Sequence, residues 1–398
     1  MPFPPAGRAL AVALALLAAP ALALAQMPTP APMLHSRLID DCGPKPLPGE
    51  LCRLPVAFEA DDAEKHLDGK DLAYWIDGHT LNVAARAFAD KAVLEGSIEE
   101  GMVPLSTRRP VWGAAFRLTE IDKAVIELRL RGHPGAAIVY RGVNAPPAPQ
   151  MNETLAGKLD TLDVQSTALG PRKVQLYVPP GRAPAGGWPV VIAAGVRDLE
   201  PYAAIADALI QRRQVRPVAI VSLGAGEGQY LRSKDPNAFY TYQMFLRREA
   251  LPLIDKQVRL SQRPQDRMLM GIGAGGDWAL DAVTHDSAMA SQVAAFSPPG
   301  LAEFPFRNRQ LRLWLQAGSY ELPYLKGART TCNLAAASFS PCKLDVTYSG
   351  HAPLIWQAEW AKVLKEAFPA KGGALASSSA PGGGDLEGRR GRAAAVAP

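Results

Sequence analysis

Beyond its first 25 residues the chain has no uncharged apolar run approaching the ~18 residues of a membrane span, so no transmembrane helix is expected. Charge imbalance is also small. The 43 Lys and Arg against 38 Asp and Glu leave a formal +5, too little and too dispersed to argue for nucleic-acid binding. The one tight basic cluster, Arg389-Arg390-Gly391-Arg392, stands in a Gly, Ala, Ser and Pro stretch with no apolar period, and 371–398 is expected to be a disordered tail. Histidine numbers six and cysteine four, and neither their spacing nor a nearby histidine pair fits a zinc site. No metal and no cofactor is expected.

The few cysteines form two pairs, Cys42 with Cys52 and Cys332 with Cys342, each ten apart in sequence. Two local disulfides are the economical pairing, each stabilising by roughly 2–3 kcal/mol in the chain-entropy model, and they require an oxidising compartment. The N-terminus supplies one. Arg8 gives a positive start, Ala9 to Ala19 an apolar run, and Ala23-Leu24-Ala25 a cleavage site before Gln26. Residues 1–25 therefore read as a secretory signal and 26–54 as an extension holding the first disulfide loop, with the product periplasmic or extracellular.

From 55 to 141 short β-like runs alternate with turns: Leu72 to Ile76, Thr80 to Ala84, Lys91 to Leu94, Val111 to Leu118, Ala124 to Leu130 and Ala137 to Tyr140. Such spacing predicts a small β-sandwich. Trp75 and Trp112 within these runs read as core in preference to a ligand face. Ala145-Pro146-Pro147-Ala148-Pro149 makes 142–150 an extended linker. Beyond it the texture changes. Strands are expected at Lys173 to Val178, Trp188 to Ala194, Pro217 to Leu223, Arg267 to Ile272, Gln292 to Ser297, Leu311 to Gln316 and Lys343 to Tyr348. Between them come helices at Leu199 to Arg212, Tyr240 to Gln257, up to about Thr284, and Leu354 to Phe368. That alternation predicts an α/β fold over 151–370, a doubly wound, mainly parallel sheet with ligands at the carboxyl ends of the strands.

One stretch organises the rest. After the strand Arg267 to Ile272, the run Gly271-Ile272-Gly273-Ala274-Gly275-Gly276 opens a helix, which is the strand–turn–helix context of a nucleophile elbow, G-x-S-x-G. Both outer glycines are present, as Gly271 and Gly275, but Gly273 stands at the serine position. The run also matches G-x-G-x-x-G. A dinucleotide site is disfavoured because the match lies deep in the chain, no acidic residue ends the next strand, and the chain reads as exported.

The block Lys173-Val-Gln-Leu-Tyr-Val-Pro-Pro-Gly181, then Trp188-Pro-Val-Val-Ile192, then Phe245 to Leu260 before the elbow, and finally Ser349-Gly350-His351 ahead of a helix, resembles the esterase branch of the α/β-hydrolases. Within that branch it is most similar to the enterochelin (ferric enterobactin) esterases. The upstream β-sandwich, with Trp75-Ile76-Asp77 and Trp112, resembles their accessory domain, so the likeness covers about 65 to 368. By this resemblance the histidine is His351 and the acid that orients it is Glu321, the only carboxylate between Gln316 and Cys342; the bland alternative for each is a loop residue without a role. Oxyanion donors would be the backbone N–H of Ala274 and one near Gly195 or Val196. Arg197, Arg232 and Lys234 would line the cleft, and the ligand implied is a small ester, of siderophore type in those relatives. Ser222 and Ser297 fall at strand ends as substitute nucleophiles or substrate contacts, with plain strand-end hydrogen bonding as the alternative. The Cys332–Cys342 loop is expected to replace the helix usual between acid and histidine. With glycine at the elbow, three functions are open: a ligand-binding pseudo-hydrolase, an esterase using another serine, or a hydrolase in which His351 activates water.

Overall fold

The structure, a computed structural model, describes residues 39–40, 50–224, 236–300 and 311–370. Its N-terminal half is β-rich. Strands β1 (Ile39–Asp40), β2 (Leu51–Leu54), β8 (Val111–Leu118), β4 (Thr80–Arg86) and β3 (Leu72–Asp77) lie in that order in one sheet, with β7 (Val103–Pro104) also on β8. A second sheet runs β10 (Ala137–Arg141), β9 (Val125–Leu130), β5 (Val93–Gly96), β6 (Glu100–Gly101). Alternate residues of each sheet point inward, as the pleat requires. Leu81, Val83 and Phe116 of the first sheet share one core with Leu94, Ile126 and Leu128 of the second. Trp112 is buried in it, donating its indole N–H to Ala87 O at 3.0 Å, whereas Trp75 is half-buried and stacked on His66. A helix, α1 (Ala60–Leu67), covers the outer face.

The second half is the expected α/β sheet. Its eight strands are ordered β11 (Lys158–Ser166), β12 (Gly170–Val178), β14 (Ala219–Ser222), β13 (Val190–Ala194), β15 (Arg267–Ile272), β16 (Gln292–Phe296), β17 (Arg312–Gly318), β18 (Cys342–Thr347). From β14 to β18 all neighbours are parallel; β11 and β12 are antiparallel. Strands buried on both faces must be apolar throughout, which is why Val190 to Ala194 carries no polar residue. Val190, Ile192, Leu269, Leu313 and Leu315 face one layer, formed by α5 (Ala274–His285), α6 (Leu322–Ala337) and a helical segment from Pro236. Val191, Met268, Met270 and Trp314 face the other, formed by α2 (Glu200–Gln211) and α7 (Pro353–Ala367).

Three sequence expectations need correction. Strand β11 was not expected, although exposed and covered residues alternate from Thr161 to Ser166; its nine-residue antiparallel register with β12 defines it. The long helix expected over Tyr240 to Gln257 is instead α3 (Pro236–Met244), a π-helical turn (Phe245–Ala250) and α4 (Leu251–Asp255). Pro252 has no N–H to donate and crowds the carbonyl one turn back, which accounts for a widened turn just before it. Finally, a helix does lie between acid and histidine. Cys332 sits within α6 itself, and its disulfide to Cys342 ties that helix to the start of β18 in place of closing a loop. The other expected pair includes Cys42, which lies outside the described residues, as do the signal segment, the basic cluster and the tail.

We propose that the chain passes from one unit to the other over 142–150. This stretch is tied down at both ends. Gly142 N donates to Ala124 O, Asn144 N to Asp122 O, and further on Asn152 Nδ2, Ala156 N and Gly157 N all donate to the buried carboxylate of Asp207 on α2.

A second buried carboxylate yields a pH test. Glu359 on α7 faces Asp345 and Lys362, and its burial, then the Asp345 charge, push it up to about 7 from 4.5. The folded state thus holds this proton more tightly than the unfolded chain, so stability present below pH 4.5 is lost as pH rises through about 7. Glu359→Gln should lessen the loss of stability between about pH 5 and 8.5 by roughly 1–3 kcal/mol, as read by urea unfolding at both pH values. An unchanged difference would show that Lys362 already compensates the Glu359 charge in the folded state.

Candidate active site

The turn after β15 has the backbone of a sharp elbow. Gly273 takes φ 56° and ψ −125°, a region costly for residues bearing a side chain, and immediately caps α5. Its N–H donates to Phe296 O at 2.8 Å and its carbonyl accepts from Gly276 N at 2.9 Å. The neighbouring glycines have a different cause, which is close approach. A Cβ on Gly271 would stand 2.0 Å from Gly275 O, and one on Gly275 would stand 2.3 Å from Ala194 O. At Gly273 a Cβ would project into open space, with His351 Cε1 at 4.0 Å the nearest atom among the described residues.

His351 lies in the loop between β18 and α7, and Glu321 at the N-terminal edge of α6. The carboxylate has no exposed surface, and both its oxygens are engaged. Oε2 accepts from His351 Nδ1 at 2.7 Å; Oε1 accepts from Ser297 Oγ at 2.6 Å and from Gly318 N at 2.5 Å. Ser297 Oγ in turn accepts the indole N–H of Trp356 at 2.8 Å. A buried carboxylate needs such a full set of donors, since an uncompensated charge there would cost several kcal/mol. With Nδ1–H given to Glu321, the imidazole keeps Nε2 as an acceptor. Tyr324 stacks on the ring at 4.6 Å and Trp356 meets it edge-on at 4.7 Å, so two aromatic walls hold its orientation. Chemically, this is a carboxylate–imidazole pair able to take a proton from a group standing over Gly273.

The β-rich half grips both loops of this pair. Tyr320, beside Glu321, is buried in the N-terminal core and donates its hydroxyl to Thr119 O at 2.5 Å. Val125 N donates to Tyr348 O at 2.9 Å, and Ser97 Oγ stands 3.3 Å from Ser349 Oγ. Gly350 passes so near that a Cβ there would fall 1.7 Å from Ser97 O. The two loops also bond each other, through Tyr320 N to Ser349 O and Ser319 N to Thr347 O.

Of the sequence candidates, Gly273, Ala274, Glu321 and His351 converge. Gly195 turns with φ 73° at the end of β13, packed against Ile272 O and Gly275, and so brings Val196 beside the elbow; Arg197 is exposed. Ser222 and Ser297 are not where a nucleophile or substrate contact must be. Both are wholly buried, Ser222 donating to Val196 O at 2.9 Å and Ser297 to Glu321. Their hydroxyls have no free path to a ligand. Arg232 and Lys234 lie outside the described residues, and His285 is exposed at the far end of α5, with Nδ1 2.9 Å from Asp281 O. Residues that sequence reasoning missed are Ser97, Gly318, Tyr324 and Trp356. None carries a local motif: Ser97 reaches Ser349 and Trp356 reaches Ser297 across long sequence separations, and Gly318 contributes only a backbone N–H, which no residue type marks.

Comparison with known proteins places this geometry. The model of the family described as Putative esterase matches residues 166–378. Among solved structures, ferric enterobactin esterase from Salmonella typhimurium superposes with a TM-score of 0.57 at 15% identity, over 76% of this chain and 98% of that one. The enterochelin esterase of Shigella flexneri does so with a TM-score of 0.56 at 16% identity, over 79% and 98%. A Shigella flexneri structure determined in the presence of enterobactin gives 0.56 at 14%, over 76% and 97%. At such identities the likeness is one of fold. No curated protein matches the chain.

The hydrogen bonds at Glu321 set an expectation for stability. Glu321→Ala strands the Ser297 hydroxyl, the Gly318 N–H and the His351 ring in a buried site, and should destabilise by roughly 2–4 kcal/mol in urea unfolding followed by tryptophan fluorescence. A loss under about 1 kcal/mol would mean that water reaches these donors.

Proposed function

The chain belongs to the Putative esterase family of α/β-hydrolases, and from that premise we propose that it is an esterase-like protein whose nucleophile position is occupied by Gly273, so that it binds an ester-bearing ligand without forming an acyl-enzyme. The observation that carries this reading is the elbow itself: a glycine in the strained conformation, with its missing side chain directed at His351. In this reading His351 is the base and Glu321 the residue that orients it, while the N–H groups of Ala274 and of Gly195 or Val196 cradle the carbonyl oxygen. Helix first-turn N–H groups lack intrahelical acceptors, which suits Ala274 to the role.

A siderophore-like ester is the ligand class suggested by the Shigella protein studied with enterobactin. Arg197, exposed beyond β13, is a candidate contact for its polar groups. Export is part of the proposal. It is supported by the sequence of residues 1–25 and by the Cys332–Cys342 disulfide, and no helix among the described residues is long and apolar enough to cross a membrane. A second reading is favoured by one observation, the intact 2.7 Å bond between His351 and Glu321: the pair activates a water for slow, direct hydrolysis.

The wild-type protein should not react with a serine-directed fluorophosphonate. Gly273→Ser should introduce labelling mapped by mass spectrometry to position 273, and raise nitrophenyl acetate hydrolysis by about 10² or more. A further His351→Ala change should remove both. Stoichiometric labelling of the wild type at any serine would overturn the proposal.

A further inference from the structure

We propose that the space beside Gly273 admits the hydroxyl of a small external alcohol, and that the protein transfers acyl groups directly from a bound ester to that alcohol. The inference rests on the assignment of His351 and Gly273 made above but goes beyond it in naming an acceptor. A Cβ at position 273 would have His351 Cε1 as its nearest neighbour, at 4.0 Å, with nothing else that close among the described residues. One bond further out, a hydroxyl oxygen comes within hydrogen-bonding reach of the same imidazole edge. No covalent tether is needed to put an oxygen there. The group this space would hold, one carbon and one hydroxyl, is the size of methanol, so a small alcohol can occupy it as well as water. The hydroxyls of the two strand-end candidates, Ser222 and Ser297, are buried and donate elsewhere.

The step balances without any co-reactant beyond the alcohol. Its O–H proton passes to His351 Nε2 as its oxygen bonds to the acyl carbon, and Glu321 steadies the imidazolium. The tetrahedral anion rests on the backbone N–H groups of the elbow. The bond from acyl carbon to leaving oxygen then breaks, and the proton goes from His351 to that oxygen. One ester and one alcohol give another ester and another alcohol.

The test uses the full wild-type chain with 4-nitrophenyl acetate and methanol, following nitrophenol release by absorbance and methyl acetate by NMR. Release should rise saturably, by roughly tenfold at ~1 M methanol, with methyl acetate formed in step. The bulkier tert-butanol should give no rise, which separates acceptance from a solvent effect. His351→Ala should abolish the methanol dependence, as should Gly273→Ala, which puts a methyl group into the space; circular dichroism checks that each variant folds. If the wild type ignores methanol while Gly273→Ser turns over the ester, the inference fails and the assignment of the site stands. If Gly273→Ser folds and is also inert, both fail together. A methanol response that survives His351→Ala would likewise overturn the inference.

Discussion

The Glu321 carboxylate has no contact with water, and three elements must be in place to keep it there. The turn ending β17 presents the Gly318 N–H, the end of β16 presents the Ser297 hydroxyl, and the loop after β18 presents His351. Because an unpaired buried charge would cost more than any of these loops could contribute alone, the three ends of neighbouring parallel strands are held in one arrangement or not at all. Ser297 adopts φ 48°, an uncommon conformation for a non-glycine residue, and its hydrogen bonds to the carboxylate and to Trp356 account for its staying there.

That arrangement is closed from above by the β-rich half. Tyr320 is a core residue of the N-terminal sheets and also the neighbour of Glu321, so the acid loop is anchored in a core that belongs to another part of the chain. The histidine loop is gripped in the same way, by Val125 and Ser97. The accessory sheets are therefore part of what fixes the distance between His351 and the elbow. A hydrolase half isolated from them would leave the Tyr320 side chain and the Tyr348–Gly350 backbone without these partners.

The glycines of the elbow divide into two physical kinds. Gly271 and Gly275 are required because backbone atoms of α5 and of the end of β13, respectively, pass where a Cβ would be. Gly273 faces no such obstacle, and only its positive φ favours glycine. A side chain there would meet backbone strain of roughly 1–3 kcal/mol and no obstacle of volume among the described residues.

The amino-acid sequence determined the parallel sheet, since short, uniformly apolar runs such as Val190 to Ala194 alternating with longer helical segments fit strands covered on both faces, and it marked the sharp glycine-rich turn after Arg267 to Ile272. Glu321 and His351 were implied by the resemblance to the esterases, carried by blocks such as Ser349-Gly350-His351 ahead of the last helix. Their pairing was beyond it, as were the burial of Ser222 and Ser297, the strand β11 and the helix carrying Cys332. Periodicity reports how a residue sits relative to its near neighbours; β11 is held by its register with β12, α6 by Ala328 in the core beneath the sheet and Gly327 against the Pro298–Pro299 backbone, and the loops of the acid–histidine pair by Ser97 and Thr119, which are distant in sequence. Only the tertiary structure could decide these, because each depends on a contact between segments that carry no local record of one another.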